Sequence, residues 1–421
     1  MDKIRSLTGM PDYSEKSEKD NLAVELFHVE NSLKEIFKTF NINEIRTPAL
    51  ERTSLFQRSV GDFSDIVNKE LYSFNDKNDR SITLRPEGTA GVIRHIVENN
   101  LESYSNKFWY MGPMWRYERP QKGRYRQFNQ AGIEYLGYEE GLAELELISI
   151  VCLIIEKLNI KNSVIKINHL GNETTKEEFA EAIKNHFEPY KSSLDEIDID
   201  RLESNPLRLL DTKNKDLQKV LRNAPVLTDF LPKNSIDLLN HIKASFQDVE
   251  IEIEIDPTLV RGLDYYNGFV FEAISNDLGA QSSFLGGGRY DNLSSQLGGK
   301  IMNSIGMAIG LERISEISNI ETDEKNRASF IILAGVDHTK AYKMAHELRL
   351  LNESVILETH LNCSSLKAEL RRANKCKSQM AFIIGEEELK NNKILIKDLK
   401  NESNEQKNVS YDELIKIYKN L

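Results

Sequence analysis

Residues 115–130 read Trp115-Arg-Tyr-Glu-Arg-Pro-Gln-Lys-Gly-Arg-Tyr-Arg-Gln-Phe-Asn-Gln130 and set five basic residues, Arg116, Arg119, Lys122, Arg124 and Arg126, within eleven positions. Pro120 and Gly123 favour a turn, so the stretch reads as two strands joined by a cationic loop. The planar fork of arginine suits bidentate binding of phosphate, and Tyr125 and Phe128 between the cations could stack on bases. A cluster of Arg/Glu ion pairs on the surface of a hairpin accounts for the same residues. The stretch alone leaves both readings open.

Three further blocks lie outward from it. Leu259-Val-Arg-Gly-Leu-Asp-Tyr-Tyr-Asn-Gly-Phe-Val270 sets Arg261 and Asp264 on either side of a glycine, directly after a strand. Leu285-Gly-Gly-Gly-Arg-Tyr-Asp291 lacks the side chains that would keep a ligand from its backbone, although a tight turn uses glycine in the same way. Ser304-Ile-Gly-Met-Ala-Ile-Gly-Leu-Glu-Arg313 is a strand of small residues entering a helix near an arginine, and close sheet packing explains its glycines equally well.

Around these blocks the pattern is that of several domains. Leu22, Leu26, Val29, Leu33, Phe37 and Phe40 recur at helical spacing, and Pro48 favours extended chain after them. Residues 80–135 turn to short strand-like pieces with many arginines, among them Ser81-Ile-Thr-Leu-Arg-Pro-Glu-Gly-Thr89. Residues 172–247 are rich in Lys, Glu, Asn and Leu and read as an inserted helical domain. Val249, Ile251, Ile253 and Ile255 then alternate with acids, a strand with one buried face, which suggests an antiparallel sheet. Glu321 to Arg327 reads as a linker, and apolar runs alternating with helical stretches around 339–351 and 364–375 predict a small α/β domain.

The bulk numbers narrow the function. A chain of 421 residues exceeds one compact core, and 40% hydrophobic with 29% charged residues is a globular composition. A net charge of −11 excludes wholesale electrostatic wrapping of nucleic acid, so any such contact is local. Cys152, Cys363 and Cys376 share no metal-like or disulfide-like spacing, which points to a reduced, cytoplasmic setting without structural zinc. The first thirty residues carry more acids than bases and no uninterrupted apolar stretch, so no signal or transit peptide is expected, and without an eighteen-residue apolar segment no membrane span is expected either.

Taken together, the four blocks resemble the class II aminoacyl-tRNA synthetases. Arg116-Tyr-Glu118 looks like motif two, Gly306 with Gly310-Leu-Glu-Arg313 looks like motif three, and Pro48 stands where motif one has its proline at the dimer interface. Arg261-Gly-Leu-Asp-Tyr-Tyr266 and Gly287-Gly-Arg-Tyr-Asp291 are similar to the two peptides of the histidine-specific branch, and the likeness runs from Gly9-Met-Pro-Asp12 to the C-terminal segment. The resemblance implies an α+β fold: a class II catalytic domain built on an antiparallel sheet (residues 1–171 and 248–322), a helical insertion (172–247) and a C-terminal α/β anticodon-binding domain (328–421). It implies ATP-dependent conversion of L-histidine to histidyl-adenylate and transfer to the 3′ end of tRNA(His), releasing AMP and pyrophosphate. It also implies a homodimer, with Mg²⁺ accompanying the ATP phosphates rather than caged by protein.

Carried over by position, Glu87, Thr89 and Gln130 hold the amino acid, the carboxylate opposing its ammonium. Glu134 and Tyr266 read the imidazole, with Tyr265 lining the same pocket. A side chain without ring nitrogens would leave both partners buried and unpaired, which rejects it strongly. Arg116 and Arg261 act on the α-phosphate from opposite sides as the catalytic pair, both also contacting histidine, and Arg124 and Arg313 join Arg116 in holding ATP. Two positions depart from the pattern: Asn129 stands where many relatives have histidine, and Ser283-Phe-Leu-Gly286 where a smaller residue often precedes the glycine. The loop from Gln121 to Arg126 is expected to touch the tRNA acceptor end. Lys367, Arg371, Arg372, Lys375 and Lys377 form the local positive patch that the overall acidity calls for, or else a solvated helix face. The main rival is the synthetase-like regulatory subunit of ATP phosphoribosyltransferase, expected to lose the synthetase arginines and commonly the anticodon domain. A tRNA-sensing module of a larger signalling protein is a more remote one.

Overall fold

The predicted apolar stripe at the N-terminus forms α1 (Leu22–Thr39), with Leu22, Leu26, Val29, Leu33 and Phe37 buried along one face. The structure is a computed structural model. It describes residues 3–14, 22–61, 66–121, 123–195, 198–199, 202–203, 206, 209, 215–221, 223–279, 282–320, 326–360, 365–400 and 406–421. Lys122, Cys363 and residues 321–325 of the expected linker lie outside them. The chain divides into two units, Met1–Ile320 and Glu321–Leu421.

In the first unit the strands are, in chain order, β1 (Asn43–Glu44), β2 (Leu50–Arg52), β3 (Tyr72–Asn75), β4 (Ser81–Leu84), β5 (Asn106–Trp115), β6 (Gln127–Leu136), β7 (Ser163–His169), β8 (Glu252–Ile255), β9 (Phe269–Ser275), β10 (Ser283–Arg289) and β11 (Ser304–Gly310). Eight of them form one sheet in the order β1-β5-β6-β11-β10-β9-β7-β8, and β2, β4 and β3 form a small second sheet. Ile133, Tyr135, Ile305, Met307, Phe269 and Phe271 on one face of the large sheet are packed under α1 and the helix α4 (Leu142–Lys157), which also buries Cys152.

The expectation of an antiparallel sheet holds for the run from β5 to β7 and fails at both edges. β1 lies parallel to β5, and β8 lies parallel to β7. The reason at the second edge is the connection: the chain leaves β7, passes through the helical stretch after it and returns in the same direction, a crossover that only a long segment allows. The alternation around 249–256 is real, with Ile253 buried between exposed Glu252 and Glu254. One-sided burial therefore does not require antiparallel partners.

The helical stretch includes α5 (Glu173–Phe187) and the helices Lys215–Leu221 and Lys233–Ser245. Phe179, Ile183, Phe187, Leu217 and Leu227 belong to the same buried cluster as Tyr110, Leu259, Tyr265 and Tyr266. This stretch thus packs into the core that also carries the second and third sequence blocks.

The second unit holds β12 (Arg327–Ile332), β13 (Ile356–His360), β14 (Met380–Ile384), β15 (Lys393–Asp398) and β16 (Gln406–Ser410) in the order β13-β12-β14-β15-β16. β12 runs parallel to β13 and β14, joined by the helices His338–Leu351 and Leu366–Lys375, while β15 and β16 add antiparallel. β16 and the closing helix Tyr411–Lys419 were not anticipated, since Gln406-Lys-Asn-Val-Ser410 is polar and sits at an edge where no face demands apolar residues.

Candidate active site

Gln130, Gly132 and Glu134 alternate along β6 with Ala131, Ile133 and Tyr135, which point into the core beneath α1 and α4. Opposite the first set on β11 lie Gly310, Ala308 and Gly306, and beyond Ala308 and Gly306 on β10 lie Gly286 and Gly288. One face of three adjacent strands is therefore almost bare of side chains. The bare floor is covered from within the protein: a methyl on Gly306 would overlap the Glu134 carboxylate, one on Gly286 the Arg261 guanidinium, and one on Gly88 or Gly132 the Tyr110 ring. Gly287 faces the other way, against the Gly306 carbonyl and the Met307 backbone, so sheet packing accounts for that one.

Above this floor is a cleft of about 280 Å³ whose walls include Glu87, Thr89, Arg116, Arg124, Gln130, Arg261, Tyr265, Tyr266 and Arg313. Glu134 lies beneath the lining, fully buried, accepting from the Thr89 hydroxyl at 2.6 Å and from the Tyr290 hydroxyl. Burial raises its carboxyl to about 8 against the pull of those hydroxyls. Burial likewise lifts Glu87 above the ordinary glutamate range, opposed by the Ala90 and Thr89 amides that donate to it at 3.0 and 2.6 Å. Those two amides open α3 (Thr89–Glu98), so Glu87 also sits at the positive end of a helix. Tyr265 and Tyr266 are buried with ring centroids 4.6 Å apart, and Tyr265 meets Tyr290 edge-on at 5.6 Å.

The arginines of the cationic hairpin part company. Arg116 donates to the Pro86 carbonyl at 2.8 Å with its guanidinium 5.2 Å from the Phe128 ring centre, and Arg124 lies 3.2 Å from Glu118. Arg126 turns to the Tyr117 ring, 3.8 Å from its centre, while Arg119 is exposed and outside the cleft lining. Arg313 donates to the carbonyls of Gly123 and Ser283 at 3.0 and 2.8 Å, and burial followed by the nearby Arg124 charge lowers its pKa. Arg261 stands 3.4 Å from Glu272. Its Nε and the Gln130 Oε1 are buried without a hydrogen-bond partner. Such orphans call for a ligand.

Two residues given no role by sequence reasoning are prominent here. Tyr290 lies inside the quoted Gly287–Asp291 peptide and bonds Glu134. Glu312 lies beside Arg313, and its carboxylate takes the Asn129 amide N–H at 2.8 and 3.0 Å and the Asn129 side chain at 3.0 Å. Asn129 therefore faces away from the Gln130 side of β6, and the departure from the family pattern falls outside the pocket. Ser283 contributes its carbonyl to Arg313, and Phe284 is buried. Among the described residues no cluster of three or more His, Cys, Asp or Glu side chains could hold a metal ion, and no helix is long and apolar enough to cross a membrane.

The sequence profile described as "Histidyl-tRNA synthetase" matches residues 20–314, and that described as "Anticodon binding domain" matches residues 328–421. The chain is 39% identical to the histidine–tRNA ligase of Francisella philomiragia over 93% of its own length and 94% of that relative's. It is 40% identical to the histidine–tRNA ligase of Prochlorococcus marinus over 100% of its length and 97% of the relative's. Apo histidyl-tRNA synthetase of S. aureus superposes with a TM-score of 0.80 at 32% identity, covering 99% of this chain and 100% of that one. A protein described as an ATP phosphoribosyltransferase regulatory subunit/histidyl-tRNA synthetase, from Bacillus halodurans, shares the fold at a TM-score of 0.61 and 20% identity, covering 88% of this chain and 96% of that one. The chain belongs to the histidyl-tRNA synthetase family.

Proposed function

We propose that the cleft joins L-histidine to ATP and passes the histidyl group to the 3′ end of tRNA(His), with the residues divided as follows. Glu87, Thr89 and Gln130 take the ammonium of histidine, Glu134 and Tyr266 pair with the two ring nitrogens, and Tyr265 closes the pocket. Arg116 and Arg261 flank the α-phosphorus, so that the carboxylate and the phosphate meet in line and the developing charge is matched from both sides. Arg124 and Arg313 hold the outer phosphates. The observation that carries this reading is the pair of buried, partnerless atoms, Arg261 Nε in the loop after β8 and Gln130 Oε1 on β6, both in residues that line one cleft.

Mg²⁺ fits this donor set only as a companion of ATP. Of the two carboxylates lining the phosphate end, Glu312 is committed to Asn129, which leaves Glu118 beside Arg124. Glu118 would be the carboxylate of this end that helps hold such an ion, whose chemistry when bound with ATP would be neutralisation of phosphate charge. A homodimer is supported by the resemblance at Pro48 and by the small sheet after it, which leaves Leu50 44% and Phe74 50% exposed. We assign residues 1–171 and 248–322 to catalysis, 172–247 to an insertion and 328–421 to anticodon binding, in a protein of the cytoplasm.

The test is ATP–pyrophosphate exchange with each of the twenty amino acids, run beside Arg261→Ala. Exchange with histidine alone, lost in the variant, is the expected result. Well-folded protein without exchange would move the assignment to a non-catalytic regulatory subunit.

A further inference from the structure

Residues 7–13 lie against the hairpin rather than inside the cleft, and no step assigned above uses them. The Gly9 carbonyl accepts the amide N–H of Arg126 at 2.7 Å and that of Gln127 at 3.3 Å, where the cationic loop re-enters β6. Arg126 in turn gives its own carbonyl to the Arg116 N–H at 2.9 Å, so Gly9, Arg126 and Arg116 are successive rungs. The Arg126 side chain lies over Tyr117 and donates to the Glu118 carbonyl at 3.2 Å, and Glu118 is the residue beside Arg124.

Gly9 is suited to this position as no other residue is. Its φ is +80°, and a Cβ there would lie 3.0 Å from both Arg126 Cγ and Pro120 Cγ. A turn closed by the Met10 N–H on the Leu7 carbonyl at 3.0 Å sets up that conformation. Four residues on, the Tyr13 hydroxyl reaches Glu312 at 3.5 Å, and Glu312 holds Asn129 and precedes Arg313, which bonds the Gly123 carbonyl at the loop tip. Ile4 and Leu7 are exposed, so little apolar burial holds the start of the segment. These contacts lead to the cationic loop and to Glu312, on the side of the cleft assigned to phosphate, away from the histidine pocket built on Glu87, Glu134, Tyr265 and Tyr266.

We infer that the segment around Gly9 is a strap that positions the cationic loop for ATP, and that Gly9 and Tyr13 are positioning residues acting on ATP rather than on histidine. The inference rests on the reading of Arg116 and Arg124 as phosphate ligands. In the full chain, Gly9→Val is expected to raise the KM for ATP in pyrophosphate exchange roughly tenfold, as lost backbone hydrogen bonds and a strained φ imply. The KM for histidine should stay within about twofold, and calorimetric binding of histidine alone should be unchanged. Should the valine variant fail to fold, Gly9→Ala carries the same test with a smaller expected rise of about threefold. An unchanged KM for ATP, or a matched rise in both constants, overturns the strap, because a merely structural lesion would not distinguish the two substrates. Arg124→Ala is run alongside: a KM for ATP that rises in the Gly9 variant but not in this one keeps the strap, acting through Arg116 alone, and removes Arg124 from the phosphate ligands.

Discussion

Glu134 concentrates the residue-scale physics of the pocket. Burial holds its carboxyl near 8 against an ordinary value of 4.5, so the folded state keeps a proton that the unfolded chain releases. The sign follows directly: below about 4.5 the group costs nothing, stability falls as pH rises from there through about 8, and above that the full penalty stands. Glu134→Gln removes the titration. Its unfolding free energy relative to the parent should therefore rise between pH 5 and pH 8, by an amount bounded at about 1.4 kcal/mol per pH unit, and its melting temperature with it. The same variant should lose histidine-dependent exchange by roughly tenfold at neutral pH, about the worth of a hydrogen bond between neutral groups, since the carboxyl keeps its proton below about 8. A relative stability flat with pH would show that Glu134 titrates normally. Asn129 shows why such detail resists sequence reading. Adjacent to Gln130 in the chain, it sits on the opposite face of the strand, and a period of two separates neighbours that a motif sets side by side.

Among the elements, the bare face of β6, β11 and β10 decides where ligands can go. The glycines were readable in the sequence, but two explanations competed, ligand approach and close packing. Both operate: Gly286 and Gly306 make room for Arg261 and Glu134, while Gly287 packs on the backbone of β11. Which applies at each position depends on strand parity and on partners from other elements, Arg261 for Gly286, the β11 backbone for Gly287 and, far back in the chain, Glu134 for Gly306. Gly306→Ala tests the first. The added methyl must displace the Glu134 carboxylate and would also lie 2.7 Å from the Ile133 carbonyl of β6, so the expected loss in denaturant unfolding is about 3 kcal/mol, the upper end for overpacking. The KM for histidine should rise while that for ATP hardly moves, since no phosphate ligand touches this position. Parent-like stability and kinetics would mean that the floor yields to a methyl. The same dependence on partners explains the parallel edge at β8, where alternation specified a half-buried strand but not the direction of its neighbour.

At the scale of the molecule, the sequence posed a contradiction between a net charge of −11 and a polyanionic substrate. The second unit carries a local answer. Helix Leu366–Lys375 sets Ala373 and Glu369 inward, Glu369 bonding buried His360 at 2.7 Å, and leaves Lys367, Arg371 and Lys375 exposed at successive fourth positions. On the same helix Arg372 pairs with Glu358 at 2.7 Å, which takes up part of its charge. Composition alone could not separate a nucleic-acid face from a solvated one, because both expose the same cations; salt dependence can. Replacing Lys367, Arg371 and Lys375 together by alanine should leave histidine-dependent pyrophosphate exchange intact, since that reaction needs no tRNA. Charging of tRNA should weaken, and the log–log dependence of its apparent affinity on salt should become shallower by about two, at ~0.7 per contact with single-stranded phosphate. Parallel salt lines for variant and parent would return the patch to solvent and require the tRNA to be held by other residues.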